Sequence, residues 1–424
     1  MKKIKNILFV LFFLITIPTC QTFGSEQVYV AGSSNSMNTS TTEYNTPFSA
    51  GPTAITSWTA TEADRQVLMP AAGTLSDLRV NIDGTPGTGN SYAFTVRING
   101  AGSTTITCTI SNAETACNSG ALTDTVAAGD SVAIEVNPNS GPSARDGRWS
   151  LKFDSTTSAY TTLAGCTNGT ALATSGTQYL AVHGGNPPDT SSFQTATLFP
   201  LAGTLRNLYV ELEVAPGAGT SRTFAIGTVD CTIADTATTC NSAGDTQAIS
   251  AADTFTLTST VSGTPVASQA KYGVVLTATT AGQFPIVLSS DNTTNTSTTE
   301  YSVLSGGDTT WSTAENDSSS LANAMTIKSI YVELSSAPGS GGDAYDFTLR
   351  QDTVSSGLTV QLLNTETADN ASTDITIADD ELLSTECNPS VTPGARTALI
   401  AYQGFIDPGG APAVATQAIM GEIM

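Results

Sequence analysis

The strongest constraint on the fold of this chain is an internal repeat. Residues 69–96 read MPAAGTLSDLRVNIDGTPGTGNSYAFTV, and residues 199–226 read FPLAGTLRNLYVELEVAPGAGTSRTFAI, which align without a gap. A weaker third copy, TIKSIYVELSSAPGSGGDAYDFT, occupies residues 326–348. The copies are roughly 120–130 residues apart, which is too long for a solenoid repeat and fits a whole domain. The repeat therefore predicts three tandem domains.

Within each copy, apolar and polar residues alternate as they do in β-strands. Phe94, Val96 and Ile98 alternate with polar residues and end at Asn99-Gly100, a strong turn dipeptide. No window combines helical periodicity with capping residues. Short strands at this spacing predict an all-β fold of antiparallel β-sandwiches, with jelly-roll order favoured by the number of strands. Immunoglobulin-like order is the alternative.

The repeats also predict the domain boundaries. The predicted segments are a signal peptide (1–24), three β-sandwich repeats (25–154, 155–281 and the divergent 282–407) and a C-terminal tail (408–424). The tail has an apolar end that is too short to anchor in a membrane. We expect it to supply a strand to a neighbouring molecule by edge addition.

The N-terminus has the pattern of an export signal. Three lysines lie within the first five residues, and an apolar run follows at 7–17. At about ten residues this run suits a signal-peptide core and is too short for a membrane span. Small residues before Ser25 predict cleavage there, and lipidation at Cys20 is the less favoured alternative. We therefore expect a secreted protein that is extracellular or displayed at the cell surface.

The repeat motif consists of P-x-x-G-T-L-x-x-L-x-V, then P-G-x-G, a Phe, and C-T-I-x6-C. Its residues are Pro70, Gly73, Leu75, Leu78, Val80, Pro86, Gly87, Gly89, Phe94, Cys108 and Cys117 in the first copy, and Pro200, Gly203, Leu205, Leu208, Val210, Pro216, Gly217, Gly219, Phe224, Cys231 and Cys240 in the second. This motif resembles a β-sandwich module of uncharacterised bacterial secreted proteins and phage appendage proteins. The third copy lacks the cysteine pair. The resemblance implies a surface or appendage role and supplies no active site.

The charge balance restricts the classes of partner. The 424 residues include 15 Lys and Arg against 37 Asp and Glu, for a formal net charge of −22 at pH 7. Nucleic acid and anionic membrane surfaces would not attract such a chain. The predicted partners are copies of the same protein or other surface and appendage subunits, with glycans as a further class, and we expect no membrane span.

The residues that usually perform catalysis are scarce. His183 is the one histidine, so a catalytic triad, a His/Cys zinc site or a histidine base would have to use it. It precedes Gly184 without a companion motif, which favours a structural position at a strand end. Ser268 and Lys271 have the spacing of an S-x-x-K motif, but the companion motifs of serine acylases are missing. The run at 86–89 lies between strand patterns with no helix or Lys after it, which predicts a turn rather than a phosphate loop.

Acidic and aromatic residues supply the remaining candidate sites. The acidic candidates for a glycosidase pair or a calcium site are Asp83, Asp130, Glu135, Asp253, Asp343, Asp346, Asp379, Asp380 and Glu386. They are spread over all three copies, which favours a solvated acidic surface and no cofactor. Asp343 and Asp346 are the weak candidates for Ca²⁺. Trp58 and Trp311 lie among polar residues and are the candidates for stacking on carbohydrate.

The cysteines predict two disulfides. The predicted pairs are Cys108–Cys117 and Cys231–Cys240. Both pairs have the same nine-residue separation, and the polar segment between them suits a hairpin that faces the sulfurs across adjacent strands. Cys166 and Cys387 lack equivalents in the other copies and are predicted to be free, with a bridge between domains two and three as the alternative.

Together these patterns favour a secreted, non-enzymatic structural or adhesive protein. The three β-sandwiches are expected in a row, as in an extended stalk, at a cell surface or in an extracellular appendage. A carbohydrate-binding protein is the first alternative. A glycoside hydrolase and a phage appendage protein are the less favoured ones.

Overall fold

The structure, a computed structural model, describes residues 25–33, 35–48 and 58–408. Apart from two 3₁₀ turns, Glu62–Arg65 and Glu315–Ser318, the regular elements of these ranges are all β-strands. The described residues contain no helix with the length and apolar character that crossing a membrane requires. The predicted signal peptide, with Cys20, and all of the predicted tail after Pro408 lie outside the described residues.

Repeat 1 contains the first ten strands. They are β1 (Ser25–Gly32), β2 (Glu43–Asn45), β3 (Val67–Leu68), β4 (Gly73–Ile82), β5 (Gly87–Ile98), β6 (Ala101–Asn112), β7 (Ala116–Asn118), β8 (Thr123–Val126), β9 (Ser131–Asn139) and β10 (Gly147–Ser155). One sheet has the order β1-β10-β4, with β7 and β8 beside β4. The second has the order β2-β9-β5-β6, with β3 beside β9.

Repeat 2 contains the next twelve strands. They are β11 (Tyr160–Cys166), β12 (Thr177–Leu180), β13 (Gly184–Gly185), β14 (Thr197–Leu198), β15 (Gly203–Leu212), β16 (Gly217–Ile226), β17 (Val229–Asp235), β18 (Thr239–Asn241), β19 (Thr246–Ile249), β20 (Thr254–Phe255), β21 (Leu257–Ser262) and β22 (Ala270–Ala278). Its main sheets have the orders β13-β11-β22-β15-β18 and β12-β21-β16-β17.

Repeat 3 contains the last ten strands. They are β23 (Gln283–Ser290), β24 (Glu300–Ser302), β25 (Gly306–Thr309), β26 (Ser320–Leu321), β27 (Met325–Leu334), β28 (Ala344–Gln351), β29 (Val354–Leu363), β30 (Ala368–Ile377), β31 (Leu382–Ser390) and β32 (Ala398–Phe405). One sheet has the order β25-β23-β32-β27-β30, and β29-β28-β31, with β24 beside β31, belongs to the other.

All three repeats have jelly-roll topology. In repeat 1 the eight principal strands in chain order are β1, β2, β4, β5, β6, the β7/β8 pair, β9 and β10. Numbered one to eight, they form antiparallel sheets of order 1-8-3-6 and 2-7-4-5, and the main sheets of repeats 2 and 3 have the same order. The expected all-β sandwich fold is confirmed, and the strand order is that of the jelly roll rather than of the immunoglobulin fold.

A bulge explains why buried leucines in the repeat motif are three residues apart. Leu75 and Leu78 are both buried on β4, although strict alternation would place them on opposite faces. Asp77 between them has a φ of 51°, in the left-handed region, and the register against β10 shifts beside it. Asn207 has the same conformation in β15. The extra residue returns both leucines to the core side of the strand.

The structure has three hydrophobic cores, and each includes residues from another repeat. The pairing registers place Val30, Ala164 and Val287 at equivalent positions of β1, β11 and β23, the first strand of each repeat. Val30 packs in the core of repeat 3, Ala164 in that of repeat 1 and Val287 in that of repeat 2. The repeats therefore exchange contacts in cyclic order and close around a pseudo-threefold axis.

A second set of equivalent residues supports this cyclic closure. Arg148 Nε donates to Ser319 Oγ at 2.6 Å between repeats 1 and 3. The equivalent Lys271 Nζ donates to Gln66 Oε1 at 3.0 Å between repeats 2 and 1. Leu399 has the third equivalent position and is buried in the core of repeat 2. The three interfaces thus use the same places on each repeat but different chemistry.

The closed arrangement corrects the expectation of repeats in a row. β1 pairs with β10 of its own repeat and, between Ala31 and Leu321, with β26 of repeat 3. The first and last repeats consequently share one sheet of ten strands. In an extended stalk these repeats would lie at opposite ends, with no pairing between them.

Close backbone approach at the interfaces accounts for two glycines. A Cβ atom at Gly32 would lie 2.1 Å from the carbonyl oxygen of Ser319 in repeat 3, and one at Gly273 would lie 2.2 Å from that of Leu68 in repeat 1. Any larger residue at either position would push the two repeats apart.

Candidate functional site

The place where the three repeats meet is the central junction, which we define by Phe48, His183, Ser305 and the strands β1, β11 and β23. Phe48, His183 and Ser305 each lie four residues after an equivalent tyrosine of β2, β12 or β24. All three line one cavity of about 20 Å³, together with Tyr29 and Val287. Each repeat therefore contributes a different side chain to the same position around the axis.

Polar contacts at the junction join repeat 1 to repeat 2. Gln27 Nε2 donates to the carbonyl oxygen of Thr162 at 2.9 Å, and Thr162 N donates back to Gln27 Oε1 at 2.8 Å. Tyr29 Oη and Thr162 Oγ1 are 2.5 Å apart. Burial raises the pKa of the Tyr29 phenol well above its ordinary value. These groups are neutral and satisfied, so this part of the junction holds the repeats together rather than reacting.

His183 is the chemically distinct member of the junction. Its side chain is buried, and its Nδ1 lies 3.3 Å from Thr197 Oγ1. Its Nε2 has no hydrogen-bond partner within the described part of the chain. Burial lowers the pKa of the imidazole from 6.5 to about 4, although the backbone of Gly306 acts in the opposite direction. At neutral pH the ring is uncharged.

The two tryptophans predicted to stack on carbohydrate are placed inside the sandwiches. Trp58 is 5% exposed and its ring centroid lies 5.1 Å from that of Trp149. Trp311 is 6% exposed and lies 6.1 Å from Phe347. Neither indole presents an open face to solvent, so as placed they contribute to the cores of repeats 1 and 3.

Most of the acidic candidates have structural partners. Arg97 is clamped between Glu62 and Glu135, at 3.0 Å from each, and contacts the ring face of Tyr44. The same arrangement recurs in repeat 3. There Arg350 is placed between Glu315 and Glu386 under Tyr301. Asp130 and Asp253 accept hydrogen bonds from the backbone of their own turns, and Asp379 and Asp380 pair with Arg79. These carboxylates fix turns and strands rather than converging on one cleft.

The calcium candidates bond to the protein itself. Asp343 accepts the backbone N–H groups of Ser340 at 3.0 Å and Thr392 at 3.2 Å, and Asp346 accepts from Gln361 at 2.8 Å. Within residues 25–33, 35–48 and 58–408, no group of three or more His, Cys, Asp or Glu side chains could hold a metal ion. Calcium at Asp343 and Asp346 stays a prediction.

Three surface grooves of the described residues have volumes of about 280 Å³ or more. A groove of about 310 Å³ between repeats 1 and 2 is lined by Ala63, Glu211 and Lys271, among others. A groove of about 510 Å³ beside β4 contains Arg79 and Lys152 with three carboxylates. Their charged side chains form ion pairs within the protein, such as Lys271 to Glu211 at 3.1 Å. Neither of these two grooves is lined by an aromatic ring, which carbohydrate stacking requires. The third groove, of about 280 Å³ between repeats 1 and 2, is lined by Tyr209.

The structure contains a disulfide in each of the first two repeats. Cys108 is joined to Cys117 and Cys231 to Cys240, and their Cα atoms are 5.7 and 5.8 Å apart. Each bond links the outer strand of one sheet to the opposite sheet of the sandwich. Cys166 and Cys387 are free and buried, and burial raises the pKa of both thiols. Disulfides are typical of proteins that fold in an oxidising compartment.

Replacing Cys108 and Cys117 together with serine is expected to destabilise repeat 1 by about 2–3 kcal/mol, because closure of the short loop restricts the unfolded chain. The measurement is urea unfolding of the wild-type and double-variant proteins. A reducing agent should destabilise the variant less than the wild type, because only the Cys231–Cys240 disulfide of repeat 2 remains to be reduced. Equal stability of the oxidised and reduced wild-type proteins would contradict this expectation.

Sequence reasoning missed an unpaired buried arginine in repeat 2. Arg222 is fully buried, and one of its terminal nitrogens donates to the carbonyl oxygens of Leu172 at 3.2 Å and Val266 at 3.1 Å. Its Nε and its other terminal nitrogen have no partner among the described residues. Repeats 1 and 3 have Tyr92 and Tyr345 at this position, and their hydroxyls donate to loop carbonyls in the same way. Comparison of the aligned repeats could have identified this substitution.

Arg222→Tyr is expected to stabilise repeat 2 by about 1–3 kcal/mol, because it removes a buried charge that lacks a carboxylate partner. The reciprocal variant Tyr92→Arg is expected to destabilise repeat 1. Thermal and urea unfolding of both variants tests the pair. A shift in the same direction for both variants would be inconsistent with this account.

The fold and the junction define a class: an all-β protein of three jelly-roll sandwiches that close around a pseudo-threefold axis within one chain. Comparison with known proteins adds no narrower assignment. No protein-family model matches the chain, and no curated protein is similar to it.

Proposed function

We propose that this is a secreted, non-enzymatic structural or adhesive protein that works as a preassembled unit at a cell surface or in an extracellular assembly. The observation that carries the proposal is the cyclic closure through Val30, Ala164 and Val287. Closed symmetric arrangements of jelly rolls are suited to repeated contacts with other subunits, because each repeat offers a related surface. The described catalytic candidates are instead engaged in ion pairs, turns and cores.

Two further features support export. The disulfides of repeats 1 and 2 suit an oxidising compartment, and the N-terminal sequence matches a cleavable signal. The net charge of −22 favours protein or glycan partners over nucleic acid and anionic membrane.

The test is to locate the protein on the cells that produce it and to identify what it binds there. Immunogold labelling of intact cells should place it at the surface or on an appendage. Cross-linking on these cells should capture surface subunits or further copies of the chain. A protein confined to the cytoplasm would contradict the proposal.

A second experiment separates this function from an enzymatic one. The purified mature protein is incubated with a panel of polysaccharides, and the reducing ends released are measured. We expect no turnover. Release of reducing ends that depends on an acidic residue of the β4 groove, such as Asp154, would replace the structural proposal with a glycoside hydrolase.

A further inference from the structure

The central junction contains a histidine at a position where the other repeats have a phenylalanine and a serine. His183 occupies the place of Phe48 in repeat 1 and of Ser305 in repeat 3. Residues of all three repeats surround it, so a change in its charge acts on all three interfaces at once. The inference below rests on this geometry and is independent of the proposed function.

Among the described residues, the environment of His183 offers only neutral acceptors, which are the Thr197 hydroxyl and the backbone of Gly306. The residues that line the cavity include no Asp, Glu, Lys or Arg. The polar atoms that the lining provides are the amide of Gln27 and the hydroxyls of Tyr29 and Ser305, and these bond to other groups. The unpartnered Nε2 would carry its proton into this neutral surrounding.

The described side chains of the elements around His183 present no charged group to it, and strand β25 contributes the backbone of Gly306. Strand β1 contributes the Tyr29 phenol, and its Glu26 pairs with Lys152 instead. Strand β11 contributes Leu163, and the lining residues of β23, at 285–287, are apolar. Strand β14 contributes the Thr197 hydroxyl, and no charged group is among the causes of the lowered imidazole pKa.

We propose that His183 is an acid-sensitive switch whose protonation opens the closed arrangement of the three repeats at the central junction. In the closed protein the imidazolium would be buried without a carboxylate partner, which is costly. In an open arrangement water reaches the ring and solvates the charge. The two states are the closed and open interfaces, and the proton binds the open one more tightly.

The direction of the pH dependence follows from the two pKa values. The closed protein holds the imidazole at about 4, against 6.5 for a solvated histidine. Above pH 6.5 the neutral His183 therefore contributes its full stabilisation to the closed arrangement. This contribution decreases as the pH falls towards 4, and it does not change further below that pH. The ratio of open to closed protein rises by at most about 300-fold over this range.

The experiment compares tag-free wild-type protein with His183→Phe and His183→Gln between pH 8 and pH 3.5. Small-angle X-ray scattering reports the overall dimensions, and amide hydrogen exchange reports protection of β1, β11 and β23. Both variants stay neutral, and Phe is the residue that repeat 1 has at this position. The wild-type protein is expected to lose protection between pH 6.5 and 4, and both variants are expected to keep it.

A second measurement keeps the proposal testable if a variant folds poorly. Because the chain has one histidine, ¹³C-labelled histidine gives a single imidazole NMR signal. We expect a midpoint below pH 5 that coincides with the loss of protection. A midpoint near 6.5 in the closed protein, or the same acid profile in wild type and both variants, would overturn the proposal. If wild type and both variants lost protection at the same pH, the acid opening would be due to carboxylates such as Asp146, which all three proteins share.

Discussion

Val287→Asp is expected to separate repeat 3 from repeat 2. Val287 is 2% exposed and packs in the core of repeat 2, so a carboxylate there would be buried without a partner. We expect a loss of about 3–5 kcal/mol from the interface. Small-angle scattering should show the radius of gyration rising from about 22 Å, the value for a compact chain of this length.

The control for this substitution is Val354→Asp. Val354 is 65% exposed on β29, so the same chemical change there should leave both the dimensions and the stability nearly unchanged. An unchanged radius of gyration for Val287→Asp, with full stability, would mean that this interface does not hold the repeats together in solution.

Trp58→Ala and Trp311→Ala are each expected to destabilise their own repeat by about 3–5 kcal/mol. Both rings are buried against other aromatic rings, and their removal leaves cavities that the rigid sandwich cannot fill. Urea unfolding with tryptophan fluorescence and circular dichroism measures the loss.

The matched control is Leu122→Ala, because Leu122 is 52% exposed and should tolerate the change. The same proteins also test the carbohydrate-binding alternative. A glycan array that gives a signal with wild type, and loses it in a tryptophan variant that remains fully stable, would show that the rings bind ligand rather than fill cores.

The fold could be predicted from local patterns because the jelly roll is built from alternating strands and tight turns. Phe94, Val96 and the Asn99-Gly100 turn predict a strand and its end without knowledge of distant residues. The pairing of Cys108 with Cys117 could be predicted from their short separation, although the expected hairpin is wrong, because the two cysteines lie in opposite sheets. These features depend on short separations along the chain.

The closed arrangement could not be predicted in this way. Val30, Ala164 and Val287 are apolar strand residues like many others, and nothing in their local sequence says that they enter the core of another repeat. The pairing of Ala31 with Leu321 joins residues almost 300 positions apart. Only the three-dimensional packing of complete domains selects such contacts.

The tryptophans show how local sequence can mislead. Trp58 has polar neighbours in the sequence, and these made it a candidate for stacking on carbohydrate. The adjacent Thr59 bridges to Tyr44, however, and this pairing turns the indole towards Phe94 and Trp149. In a β-strand, neighbouring side chains point to opposite faces, so one inward residue between two outward ones is enough to place a ring in the core. The average polarity of the surrounding sequence does not show this alternation.

Joining the three repeats in one polypeptide has a consequence for mass action. Only four residues separate β10 from β11, and four separate β22 from β23. Linkers this short hold the next repeat at an effective concentration in the millimolar range. Three separate chains with the same interfaces would dissociate on dilution, because their association depends on concentration. The tandem chain keeps its closed form at any dilution.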